Sequence, residues 1–199
     1  MRRHMAALAL AAFALCTGAH ATTVSTDMTV DNAFNFFVST DDSIAGTLVG
    51  TGNSWPTTFS FTALLAPGVT NYIHVQAINQ GGPGMFIGDY SLSDSGFQFA
   101  NGTQTLVTET QDWRVSPTGF GTGYVTPIDE GPNGTSPWAF FPAMGASARF
   151  IWEANVCDTC TIFFSTAITP AIPEPETYAM IIAGLGLMGF IARRRRGRA

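Results

Sequence analysis

Lysine is absent from all 199 residues. The basic residues are arginines gathered at the ends: Arg2 and Arg3 at the start, and Arg193, Arg194, Arg195, Arg196 and Arg198 at the finish. Only Arg114 and Arg149 lie between. From Thr22 to Ala171 twelve acids face those two arginines, a net charge of −10 against −5 for the whole chain. A nucleic-acid interface needs cations to displace counterions from the phosphates. This region has almost none, which excludes nucleic acid as a partner.

Histidine is nearly as scarce. His4 and His20 belong to the first twenty residues, and His74 is alone in the rest. A Ser-His-Asp triad or a His-rich metal site cannot be assembled around it in the usual way. The expectation is a histidine packed in or at the edge of a strand, with no catalytic residues, no metal and no cofactor. Cysteine is limited to Cys16, Cys157 and Cys160. For Cys157-Asp158-Thr159-Cys160 four readings stand: a tight disulfide, free thiols, a redox motif, or half a zinc site. A redox motif would open a helix in a βαβ unit, and zinc needs about two more ligands. An oxidising compartment favours the disulfide.

The N-terminus supplies that compartment. Arg2-Arg3-His4 forms a basic start, Met5 to Leu15 an apolar stretch, and Ala19-His20-Ala21 a small-x-small cleavage site. Residues 1–21 therefore read as a secretory signal helix, and the mature chain starts at Thr22. Cys16 is a poor lipid anchor, because the residue before it is the bulky Leu15.

The C-terminus is a second targeting segment, residues 172–199. Tyr178 to Ala192 is uncharged and mostly apolar, and the arginines follow it. As a helix, 178–192 would span roughly 22 Å of a ~30 Å hydrocarbon core, with flanking residues making up the difference. Arginines after such a span keep the tail cytoplasmic and stop transfer. Pro173-Glu174-Pro175, Tyr178-Ala179, the glycine-spaced apolar run and Arg193 to Arg196 together resemble the PEP-CTERM sorting signal, also labelled an ice-binding protein C-terminal domain. The resemblance implies an exosortase partner, a membrane protease or transpeptidase of bacteria that make exopolysaccharide. It further implies export through the inner membrane and transient anchoring there with the body periplasmic. Release to the cell surface or extracellular matrix would follow, as in biofilm. Two prolines hold the handle extended outside the membrane, with Glu174 between them.

Between these segments, residues 22–171 are rich in Thr, Ser, Gly and Phe, with short alternating runs between turn signals. The class is all-β, a sandwich. Strands are expected near 33–39, 46–49, 57–64, 71–78, 85–91, 97–100, 105–108, 112–115, 148–155 and 161–166. Asn101-Gly102 is the best hairpin signal. In Asn71 to Ile78 both faces are partly apolar, as in an inner strand. "VDNAFNFFVST", "WPTTFSF", "LAPGVTNYIHVQAIN" and "GGPGMFIGDYSL" resemble the galactose-binding-like jelly roll, which implies a jelly-roll sandwich.

Trp113 and Trp152 lie in strands and read as core, whereas Trp138, in a loop of turn formers, is the candidate for stacking on a ligand; packing over the sandwich edge is its alternative. Carboxylates such as Glu109 with Asp112 or Glu153 are the material of a glycosidase, and Asp41-Asp42 lacks the D-x-D-x-D loop of a calcium site. The expected body is a non-enzymatic structural or carbohydrate-binding component associated with exopolysaccharide. The alternatives are a carboxylate-based polysaccharide-active enzyme and a periplasmic protein permanently anchored by its tail.

N-terminal sequencing of envelope-fraction protein should begin at Thr22. Recovery of Met1 from exported material would contradict the cleavage site.

Overall fold

The computed structural model describes residues 21–154, 158–171 and 175–196. Twelve strands follow in chain order: β1 (Thr23–Asp31), β2 (Ala33–Ser39), β3 (Thr47–Gly52), β4 (Phe59–Leu64), β5 (Asn71–Asn79) and β6 (Met85–Leu92). They continue as β7 (Phe97–Phe99), β8 (Thr105–Val107), β9 (Arg114–Ser116), β10 (Ile128–Pro132), β11 (Arg149–Trp152) and β12 (Cys160–Pro170). Among the described residues one helix follows them, α1 (Pro175–Arg196).

The strands form two six-stranded antiparallel sheets. The first runs β10-β11-β6-β1-β4 and the second β3-β2-β5-β12-β7. In each, one long strand shares one of its sides between two short partners. β6 pairs with β11 at Phe86 and with β8 from Asp89 to Ser91. β12 pairs with β9 from Phe163 to Ser165 and with β7 from Ile168 to Pro170. This sandwich is compatible with a jelly roll.

Period-two alternation decides which side chains meet between the sheets. β1 sends Val24, Met28 and Val30 inward, β2 sends Phe34 and Phe36, and β5 sends Ile73, Val75 and Ala77. Phe86 stands edge-on to Trp113 with ring centres 5.1 Å apart, and Phe34 likewise to Phe59 at 5.5 Å. Such pairs add to the area they remove from water. β3 meets β4 closely because it carries glycine: a Cβ at Gly50 would sit 2.0 Å from the Phe61 ring.

Most expected strands are present, and β5 is an inner strand between β2 and β12. β1 and β10 were not expected. β1 hides its alternation among threonines and aspartates next to the signal segment, and β10 contains Pro132 and a register shift between Asp129 and Gly131. The Asn101-Gly102 expectation needs correction. The turn closes tightly, with Gly102 N donating to Phe99 O at 2.9 Å, yet β7 belongs to the second sheet and β8 to the first. It is a corner between sheets rather than a hairpin.

The expected signal helix, with Ala19, lies outside the described residues. Ala21 is exposed and stands directly before Thr22, which is buried. A helix does form over the C-terminal apolar run. Among the described residues, however, no helix is long and apolar enough to cross a membrane, so the span expected at 178–192 is not borne out as a crossing. Fifteen apolar positions are too few, and α1 reaches 22 residues by extending into Pro175-Glu176 and the arginines.

Candidate functional site

β12 leads directly into the tail. Its first residue, Cys160, faces Asn79 of β5 and packs against the core. Cys157 lies outside the described residues, and with it the expected disulfide. At the other end Pro170 pairs with Phe97, and Ala171 N donates to Gly96 O at 3.0 Å. Among the described residues, that is where the sheet bonding of the chain ends. Pro173 and Glu174 lie outside the described residues. Pro175 is the first residue of α1, the position where a fixed φ and a missing N–H fit a helix. Arg193 and Arg194 are exposed, and Arg195 and Arg196 close the helix.

The side chains described in α1, from Ile181 to Gly189, are all exposed, with Ile182 at 69% and Leu187 at 62%. A helix of a globular domain buries an apolar stripe. This one leaves large aliphatic groups uncovered around its circumference.

Within the body, the histidine expected to be a bland strand residue is the centre of a network on the outer face of the second sheet. His74 is fully buried, with Nε2 3.1 Å from Asp42 Oδ1 and Nδ1 3.2 Å from Ala45 O. Ser165 Oγ donates to Asp42 Oδ1 at 2.7 Å, Tyr124 OH to the same oxygen at 3.1 Å, and Arg114 Nη2 to Asp42 Oδ2 at 3.1 Å. Phe120 stacks on the imidazole at 4.1 Å, and Arg114 lies over the Tyr124 ring. Burial pushes the Asp42 carboxyl up, but the bonds from Ser165 and His74, the Arg114 charge and the Tyr124 bond together hold it below the usual carboxylate range. Ser165 is committed to Asp42 rather than to His74, and both ring nitrogens face oxygens. The nucleophile–base contact of a hydrolase is therefore not formed here. What the network does is fasten two loops, 40–46 and 117–125, to β5 and β12. Asp41 stabilises its own turn through Ser43 N and Oγ at 2.8 and 2.7 Å.

No sequence signal joins Asp42, His74, Arg114, Tyr124 and Ser165, which are spread over 123 positions. The one hint was that Arg114 is among two cations in the body.

Trp138 requires correction. It is 5% exposed, and its ring packs 5.1 Å from that of Phe150 in a second apolar cluster with Met85, Ile87, Phe141 and Met144. Loop 133–148 folds over the outer face of the first sheet and takes Trp138 inside, because its indole N–H finds Asp31 Oδ2 at 2.9 Å. The packing alternative describes it, and the ring offers no open face to a ligand. Asp31 is itself 7% exposed, and its Oδ1 has no hydrogen-bond partner among the described residues. Burial pushes this carboxyl up, partly offset by the Trp138 bond. Trp113 and Trp152 are core, as expected. Of the carboxylates considered for glycoside hydrolysis, Glu109 accepts the backbone N–H groups of Gln111 and Asp112. Asp112 is pushed up by burial and by the neighbouring Glu109 charge.

A family model described as the PEP-CTERM protein-sorting motif matches residues 171–196. No curated protein and no solved structure matches the chain. The chain carries this motif where β12 ends, and the motif marks an exported protein for exosortase and the cell surface.

The buried Asp31 and the half-buried Asp42 predict opposite pH behaviour. Asp42, held low, stabilises fully above its unfolded value of about 3.9 and loses that contribution as pH falls through its folded value. Asp31, held high, contributes below about 3.9 and loses that contribution as pH rises through its folded value. Urea midpoints measured across acid to neutral pH should show Asp42→Asn destabilising at neutral pH, with the deficit shrinking below about pH 4. Asp31→Asn should be best tolerated at neutral pH. A pH-independent deficit for Asp42→Asn would contradict the assigned charge.

Proposed function

We propose that this is an exported envelope or extracellular-matrix protein, held in the inner membrane by α1 until exosortase removes the tail. Its body then serves, without enzymatic activity, as a structural or carbohydrate-binding component of exopolysaccharide. The observation that carries the reading is the boundary at Ala171: the last backbone bond to the sheets among the described residues and the first matched residue of the sorting motif coincide. A cut beyond this point removes no strand. The uncovered aliphatic groups of α1 supply the reason for transient anchoring, since apolar surface of this extent leaves water for lipid, and Arg193 to Arg196 resist transfer. The Cys157–Cys160 disulfide belongs to the same reading, as a local brace at the start of β12 in an oxidising compartment.

With a tag placed after Thr22, immunoblots of membrane and medium should show wild-type protein shortened and released. Glu174→Ala should accumulate as full-length precursor in the membrane with an unaltered body. Cutting and release of Glu174→Ala at the wild-type rate would overturn exosortase processing, and a wild-type chain that stays full-length in the membrane would identify a permanent anchor instead.

A further inference from the structure

The outer face of the first sheet is covered only in part. Loop 133–148 closes over Met85, Ile87 and Asp31, and stops where Gly145 N donates to Asp89 Oδ2 at 2.9 Å. Beyond that rim lies a depression of about 360 Å³. Its floor consists of two cross-strand rungs, Thr62–Ser25–Ser91 and Ser60–Asp27–Asp89, set by the register of β4, β1 and β6. Ser25 and Thr62 share a hydrogen bond at 3.1 Å, and Ser60 Oγ donates to Asp27 Oδ1. The remaining carboxylate oxygens, Asp27 Oδ2 and Asp89 Oδ1, accept no hydrogen bond from the described residues.

Two charges of one sign directly opposite on neighbouring strands are unfavourable. The body has no cation to spare for them: Arg149 pairs with Asp129 at 2.5 Å and Arg114 with Asp42 at 3.1 Å. The groove thus presents two strong acceptors side by side and four hydroxyls able to donate or accept.

We infer that this groove is a subsite for an uncharged, hydroxyl-rich glycan, a conclusion that rests on the carbohydrate-binding reading of the body. Neighbouring ring hydroxyls donate to Asp27 Oδ2 and Asp89 Oδ1, and the Ser and Thr hydroxyls complete the set. Charge-assisted bonds of this kind are the strong ones. A uronate would bring a third carboxylate to two that already repel, so acidic glycans are rejected.

Calorimetric titration of the exported protein, purified from the envelope, with neutral glucan, galactan and mannan oligosaccharides and with an oligouronate tests this. At least one neutral series should bind and the uronate should not. The double variant Asp27→Ala/Asp89→Ala should lose at least about tenfold in affinity. Ser91→Arg, which fills the groove from an exposed position and leaves both carboxylates in place, should abolish binding while the protein stays folded. Undiminished neutral-glycan binding by Ser91→Arg would overturn the groove and leave carbohydrate binding itself standing. So would uronate binding as tight as neutral binding. Failure of the wild type to bind any glycan would remove the reading on which the groove rests.

Discussion

The pairing of β12 is the constraint on which the rest of the molecule depends. This strand bonds to β5 along Cys160–Ile168 and to β9 and β7 on its other side. It also brings Ile162, Phe164 and Ile168 into the core. Being the last strand, it is the one that a C-terminal processing step endangers most. The chain meets this by completing the ladder at Ala171 before the sorting motif is under way. Fold and address are consecutive rather than interleaved, and the address can be discarded.

The outer faces of the two sheets have been put to different uses. On the second, a histidine at 0% exposure is tolerable because each ring nitrogen meets an oxygen and Asp42 gathers the surrounding donors. A buried polar network of this kind is costly when half satisfied and rigid when complete. On the first, an apolar loop covers one half and leaves the other as open hydroxyl and carboxylate. The carboxylate pair Asp27 and Asp89 therefore lies in the uncovered half, beside the loop rim.

Much of this was legible in the sequence, and the reasons for the misses are specific. Strand β2 coincides with the expected Ala33–Ser39 because alternating phenylalanines leave no other period. The tail was legible because its motif is local and ordered. The Asn101-Gly102 turn was legible as a turn, but which sheet each flanking strand joins depends on partners 14 to 18 positions away for β8 and 69 to 73 for β7. Trp138 was misplaced because turn-forming neighbours say nothing about whether a loop folds back. A distant acceptor, Asp31, decides that 107 positions earlier. The Asp42 network was invisible for the same reason, as each member is an ordinary residue in its own segment.

The separation of body from tail has a direct physical test. Amide hydrogen exchange should be measured on the exported protein before and after removal of the chain beyond Ala171. The account predicts unchanged protection from Thr161 to Ile168 and in the facing amides of β5, because among the described residues no bond of the sheets crosses that point. Loss of protection in β12 on removal of the tail would show that the tail holds the sandwich together, and would contradict the account.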